Sequence, residues 1–144
     1  MAVRPVPEGY HTITPYLLVA DAGALLDFVQ RAFDGRSARA MRGPDGQVMH
    51  ADVVIGDSHV MIGQGGGAVM PTMLYLYVDD ADALYARAIA AGGEAVQAMT
   101  TQFYGDRSGA VRDPAGNQWW IATHVEDVSS EELERRAAEA RRTA

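Results

Sequence analysis

Two histidines and an aspartate are spaced so that they could share one patch of a β-sheet. His50 and Asp52 are two residues apart in a predicted strand over residues 49–55, and His59 opens the next predicted strand. Alternate residues of a strand point to the same face, so we expect these side chains on one face. Imidazole and carboxylate groups could hold a metal ion or act as an acid/base pair. The alternative is a structural polar pair at the rim of the sheet.

A second candidate for chemistry is the Tyr-Gly-Asp-Arg segment at residues 104–107. The planar guanidinium of Arg107, beside the ring of Tyr104, could clamp a carboxylate or a phosphate. An ion pair of Arg107 with Asp106 or Asp113 is the alternative interpretation. The remaining histidines are predicted near strand ends and exposed to solvent: His11 and His124.

The elements that must position these residues follow a β-α-β-β-β order twice. A helix is predicted at residues 24–33 from apolar residues at three- and four-residue spacing, and a second at residues 82–91. Short apolar or alternating runs between turn residues predict strands at 12–19, 37–42, 49–55 and 59–63, and again at 73–78, 95–99, 109–112 and 118–123. The pattern predicts an α+β fold of two tandem modules.

A constant shift of 59 residues relates the two halves, which is typical of one supersecondary unit used twice. The shift pairs Thr14 with Met73, Asp21 with Asp80, Leu25 with Leu84 and Met61 with Trp120. We therefore predict one domain over residues 1–128, with modules at about 10–63 and 72–124.

Two segments lie outside the modules. The glycine-rich stretch beginning at residue 63 is predicted to be part of a linker over residues 63–71. It lacks the Lys-Ser/Thr pair that a phosphate-binding loop needs. Residues 129–144 are predicted to form a polar helix with a capping box of Ser129 and Glu132. Ion pairs are predicted four residues apart in this helix: Glu131 with Arg135 and Glu132 with Arg136.

Strand alternation divides the side chains between an aliphatic face, which must bury the helices, and an opposite face of mixed character. The opposite face is predicted to carry aromatic, methionine and small polar side chains: Thr14, Tyr16, Met61, Met73, Tyr75, Tyr77 and Trp120. Such a mixture suits a pocket in which polar groups orient a molecule between apolar walls. The alternative is that these side chains simply fill an ordinary interior.

Composition excludes several classes of function. The 144 residues include no cysteine, so disulfides, thiolate nucleophiles and cysteine-based zinc sites are excluded. A formal charge of −7 repels nucleic-acid backbones. We therefore predict no nucleic-acid partner. We also predict no membrane partner, because no apolar run reaches the length of a membrane span. The cytoplasm is the expected location.

Three segments give the chain a recognisable resemblance: residues 17–33, 77–92 and 112–124, the last with an Asp-Pro-x-Gly turn before the final strand. They resemble the vicinal oxygen chelate superfamily of glyoxalases, bleomycin resistance proteins and extradiol dioxygenases. Residues 7–17, 102–109 and 119–128 resemble its PhnB-like branch. The resemblance implies a homodimer with a concave pocket shared between subunits.

Metal-dependent members of that superfamily place ligands at positions that correspond here to Thr14, Met61, Met73 and Trp120. None of these side chains suits a hard or borderline cation. The resemblance therefore implies metal-independent binding or sequestration of a small organic molecule, with no cofactor. The alternative function is that of a lyase or isomerase of glyoxalase type with a non-standard site at His50, Asp52 and His59.

Overall fold

The fold is taken from a computed structural model that describes residues 2–66 and 69–143. The first module contains a short strand, a helix and three further strands. These elements are β1 (Tyr16–Val19), α1 (Ala22–Phe33), β2 (Arg36–Arg42), β3 (Val48–Ile55) and β4 (Ser58–Gln64).

The second module repeats this order and is followed by a further helix. Its elements are β5 (Met73–Tyr77), α2 (Ala81–Ala90), β6 (Glu94–Thr101), β7 (Asp106–Arg112) and β8 (Gln118–His124), and the last helix is α3 (Ser130–Thr143). The predicted α+β fold of two β-α-β-β-β modules is confirmed.

Each module forms its own four-stranded mixed sheet, with strand orders β1-β4-β3-β2 and β5-β8-β7-β6. The first strand of each module pairs in parallel with the last, and the other pairings are antiparallel. Equivalent registers occur in both sheets, since Tyr16 pairs with Met61 and Tyr75 pairs with Trp120. β1 and β5 are consequently edge strands.

The helices are held by their caps and by one shared core. The Asp21 and Asp80 side chains each accept a hydrogen bond from the backbone N–H three residues later, which satisfies donors at the start of α1 and α2. The buried face of α1 is almost entirely apolar, and α1 packs against both its own sheet and α2. The ring of Phe33 lies 4.8 Å from that of Trp119, so the two modules share one core.

Several predicted boundaries need correction. β1 begins at Tyr16 and not at residue 12, because Pro15 has no N–H with which to continue the ladder. Gly63 lies inside β4, so the linker begins after Gln64. Gly67, within the predicted linker, is outside the described residues. In the second module, β7 starts at Asp106, three residues before the predicted start.

The last helix begins as predicted, since the Ser129 hydroxyl accepts a hydrogen bond from the Glu132 N–H at 3.2 Å. Its ion pairs differ in part from the prediction. Arg136 does pair with Glu132, but Arg135 pairs with Glu132 and Glu139 and not with Glu131. Among the described helices, none has the length and hydropathy of a membrane span.

Candidate functional site

Neither α1 nor α2 packs on the opposite face of its sheet, and that face carries the predicted mixture of side chains. Leu17 and Val19 are buried toward α1, whereas Tyr16, which precedes them in β1, is 53% exposed. In β5, Met73 and Tyr77 are 57% and 64% exposed. The predicted division of the strands into two faces is therefore confirmed, and we call the helix-free sides the uncovered faces.

The four positions that the resemblance assigns to metal ligands are divided between the two modules. Thr14 precedes β1, and its hydroxyl lies 3.5 Å from the carbonyl oxygen of His11. Met61 lies on the first uncovered face, while Met73 and Trp120 lie on the second. Within residues 2–66 and 69–143, no group of three or more His, Cys, Asp or Glu side chains could hold a metal ion.

A buried aspartate organises one end of the first uncovered face. The Asp52 carboxylate is 3% exposed and lies 2.9 Å from Nδ1 of His59. The Tyr10 hydroxyl donates a second hydrogen bond to Asp52, and the Tyr10 ring stacks on the His59 ring at 3.8 Å. The N-terminal segment thus covers the Asp52–His59 pair.

His50 does not join that pair. Its Nδ1 lies 3.3 Å from the Tyr16 hydroxyl, and the two rings stack at 5.7 Å. The structure brings together Asp52 and His59 from the predicted set of three, while His50 lies beside a different aromatic residue.

A second buried aspartate organises the second uncovered face, and the sequence analysis missed it as a site residue. The Asp106 carboxylate accepts hydrogen bonds from the hydroxyls of Tyr75 at 2.8 Å and Tyr77 at 3.0 Å. Its other oxygen lies 3.0 Å from Nδ1 of His124, whose Nε2 lies 2.7 Å from Asp127. We call Tyr75, Tyr77, Asp106, Ser108 and His124 the Asp106 cluster.

The cluster fixes the charge states of its members. Burial would raise the pKa of Asp106, but hydrogen bonds from His124, Tyr75 and Tyr77 together lower that pKa below its ordinary value. Burial and the hydrogen bond to Asp106 raise the pKa of Tyr75, and the same hydrogen bond raises that of Tyr77. Asp106 is therefore an anion and both phenols stay neutral, so neither tyrosine is suited to act as a base.

Ser108 is the unusual member of the Asp106 cluster. Its side chain is fully buried, and among the described residues its hydroxyl oxygen has no hydrogen-bond partner. It lies two residues from Asp106 in β7, so both side chains point to the same uncovered face. Through Ala122, it occupies the same row of the sheet as Tyr77.

Arg107 lies on the opposite face of the sheet from this cluster. Its guanidinium binds both carboxylate oxygens of Asp82 on α2, at 2.7 and 2.9 Å, and the Thr101 hydroxyl at 3.2 Å. The predicted partners, Asp106 and Asp113, were wrong. Both lie nearby in sequence, but Arg107 points toward the helix, where Asp82 is the carboxylate it meets.

Tyr104, by contrast, lies beside the cluster, since a hydrogen bond with its hydroxyl contributes to the raised pKa of Tyr75.

A signal for Asp106 was available in the sequence. If the alternation of side chains between the two faces is continued backwards from Gly109, Asp106 falls on the face predicted for Tyr75 and Tyr77.

A cleft of about 870 Å³ lies between the two modules. Its walls combine apolar residues, such as Phe33, Val60 and Leu74, with charged ones, such as Asp34 and Arg36. Tyr75 and Tyr77 also line it, so the edge strand β5 separates the cleft from the second uncovered face. Clefts of this volume can take a small organic molecule.

The fold and this arrangement agree with a match to a known family model. Residues 9–121 match the model of the Glyoxalase/Bleomycin resistance protein/Dioxygenase superfamily. The chain belongs to this superfamily. Two relatives are each 36% identical over 93% of the chain: the uncharacterized proteins Mb0911c of Mycobacterium bovis, covered over 94% of its length, and Rv0887c of Mycobacterium tuberculosis, covered over 84%.

Solved structures of other proteins share the fold. TioX from Micromonospora sp. ML1 is 26% identical with a TM-score of 0.72, covering 80% of this chain and 99% of that one. A superfamily enzyme from Burkholderia phytofirmans PsJN, 20% identical with a TM-score of 0.65, aligns over 78% of this chain and 97% of its own. The likeness to the second structure supports the fold alone.

Proposed function

We propose that this superfamily member binds or sequesters a small, flat organic molecule without a metal ion or other cofactor. The supporting observation is the chemistry of the uncovered faces, where aromatic and methionine side chains stand at the positions of the metal ligands. Tyr16 pairs with Met61 and Tyr75 with Trp120, so each sheet offers an aromatic ring beside a large apolar neighbour. Aromatic rings stack on planar ligands, and thioethers adapt to irregular shapes.

The geometry of the Asp52–His59 pair favours its structural interpretation over a lyase or isomerase site. A general acid or base must reach the reacting atom of its substrate. The His59 side chain is 14% exposed, lies under the Tyr10 ring, and has Gly9 beside its Nε2. Its Nδ1 is already bound to Asp52.

The binding site also motivates a proposal on assembly. We propose that two copies of the chain pair, so that the uncovered faces become the walls of a shared concave pocket. The position of β1 and β5 at the ends of their sheets and the exposed side chains of Tyr16 and Met73 support this arrangement. Because residues 7–17 and 102–109 resemble the PhnB-like branch of the superfamily, we also propose that the chain belongs to this branch.

Replacing Trp120 by alanine should weaken the binding of a flat, uncharged aromatic probe such as acridine about tenfold. An aromatic pair contributes roughly 0.5–1.5 kcal/mol beyond the apolar area that it buries, and the substitution removes both contributions. The dissociation constant is measured by titration, followed through acridine fluorescence. Ile89→Ala is the control, since Ile89 is an exposed apolar residue on α2, on the side of the sheet away from the uncovered face. Equal affinities of the wild type and Trp120→Ala would contradict the proposed function.

Sedimentation velocity tests the proposed dimer. The purified chain should sediment with twice the mass of one copy, and Met73→Glu should shift it to the monomer by placing a charge on the edge strand. Val3→Glu adds the same charge at a position that is 91% exposed outside the strands, and should leave the dimer intact. A monomeric wild-type chain at micromolar concentration would overturn the proposed assembly.

A further inference from the structure

We propose that the Asp106 cluster is the subsite for the positively charged N–H groups of a protonated aromatic amine. This inference rests on the proposed binding function and names the chemical class of its ligand. It is supported by a buried negative charge, an exposed pair of aromatic rings and an orphaned hydroxyl, all of which lie on one uncovered face.

Taken together with Asp127, the Asp106 cluster carries a net negative charge in either protonation state of His124. Asp106 is 4% exposed, and among the described residues His124 is its only ion-pair partner. His124 is shared with Asp127, so one imidazole faces two carboxylates. A buried charge acts through a medium of low dielectric constant, which strengthens its attraction for a cation.

The aromatic rings supply the surface on which a cation would rest. The Tyr75 and Tyr77 rings lie 5.2 Å apart at 53°, and Tyr77 is 64% exposed. Trp120 is the register partner of Tyr75 in the adjacent strand. Cations are attracted to the faces of such rings.

The phenol oxygens are prepared to accept hydrogen bonds from the ligand. Both tyrosines donate their hydroxyl hydrogens to Asp106, so each phenol oxygen can still accept a hydrogen bond, although that of Tyr75 also lies beside the Tyr104 hydroxyl. A hydroxyl that donates to a carboxylate becomes a better acceptor, because hydrogen bonds in a chain polarise one another. These oxygens are suited to the N–H groups of an ammonium ion.

The Ser108 hydroxyl indicates that one polar partner is still missing. A buried hydroxyl without a hydrogen bond is costly, and such groups call for an explanation in the function of the site. Ser108 shares a row with Tyr77 and lies two residues from Asp106. An N–H group of a bound amine would complete its hydrogen bonding.

An anionic ligand fits this cluster poorly. The nearest guanidinium along the strand, that of Arg107, points to the other face and is held by Asp82. A carboxylate or phosphate on the second uncovered face would meet two carboxylates, Asp106 and Asp127, which already share the one imidazole of His124, and like charges repel.

The test compares 9-aminoacridine, a cation with N–H donors at mildly alkaline pH, with acridine, which has the same rings and no charge. Titrations followed by dye fluorescence are made at one fixed pH, because protonation of His124 would place a second cation beside Asp106. The wild type should bind 9-aminoacridine about tenfold more tightly than acridine. Asp106→Asn should abolish this preference while leaving acridine affinity within about twofold.

Three further variants separate the subsite from general charge and from folding. Asp45→Asn removes the same charge from an exposed turn and should leave the preference unchanged. Tyr77→Phe removes one phenol oxygen from an exposed position and should reduce the preference severalfold, even if Asp106→Asn fails to fold. Ser108→Ala should raise the melting temperature of the free protein, since it removes an unpaired hydroxyl, and lower the affinity for 9-aminoacridine.

The outcomes distinguish this inference from the proposed function. Equal binding of the two dyes by the wild type, or a preference that survives in Asp106→Asn, would overturn the amine subsite and leave the binding function standing. Failure of the wild type to bind either dye would contradict the binding function and the subsite with it.

Discussion

Replacing Asp113 by alanine should lower the free energy of unfolding by about 3–5 kcal/mol, because several buried hydrogen-bond donors lose their acceptor. The carboxylate accepts hydrogen bonds from the Trp119 indole N–H at 2.7 Å and from the backbone N–H groups of Ala115 and Asn117. It also accepts from the Asn117 side-chain amide. Urea unfolding followed by tryptophan fluorescence measures the loss.

The loss of stability comes from the buried donors that are left without an acceptor, and not from a change in the turn itself. The β2–β3 turn makes the same pair of backbone hydrogen bonds, between Gly43 and Gln47 and between Gly46 and Gly43, with glycine at the position of Asp113. The turn geometry therefore does not need a carboxylate. Trp119 and Asn117 do, because each is about 1% exposed and water cannot replace the lost acceptor.

The matched control for Asp113→Ala is Asp57→Ala. Asp57 lies in the equivalent turn of the first module, between β3 and β4, and is exposed to solvent. Its side chain accepts one hydrogen bond, from the neighbouring Ser58 hydroxyl. Its loss should cost no more than about 0.5 kcal/mol. Similar losses for the two variants would show that the Asp113 network contributes little to stability.

The periodicity of apolar residues was sufficient to predict the elements and the faces of the strands. Helix α1 is predicted by the three- and four-residue spacing of Leu25, Phe28 and Val29, and all three are fully buried. The boundaries were harder to predict, because they depend on pairing with distant strands. β7 extends back to Asp106 since that residue pairs with His124, which the polar Asp-Arg-Ser start of the strand does not reveal.

The same limit applied to the candidate site. Alternation placed Tyr75, Tyr77 and Trp120 on the correct face. It could not show that both tyrosines donate to Asp106, which is 31 residues from Tyr75 in sequence. It also could not show that Arg107 is drawn to Asp82 on α2, because that contact depends on how the helix packs over the sheet. Polar contacts across elements depend on tertiary geometry, which local patterns do not encode.

Replacing Gly105 by alanine should destabilise the fold by about 3 kcal/mol or more and disturb the Asp106 cluster. Gly105 has a φ of +101°, and a Cβ at this position would overlap the carbonyl oxygen of Glu126 and lie 3.2 Å from Cγ2 of Val128. The carbonyl oxygen of Gly105 also accepts hydrogen bonds from the N–H groups of Val125 and Glu126. The two backbone segments must therefore move apart, which urea unfolding would detect as a lowered midpoint.

Gly92→Ala separates the clash from the strain of the backbone angle. Gly92 has a similar φ of +108°, but an added Cβ would meet no atom within 4 Å. Its substitution should cost only about 1–2 kcal/mol for the left-handed conformation. The movement at Gly105 should also separate His124 from Asp106, because both residues adjoin the displaced segments. Gly105→Ala should therefore lose the preference for 9-aminoacridine, whereas Gly92→Ala should retain it. Equal stabilities of the two variants would show that the backbone at Glu126 yields to the added methyl group without cost.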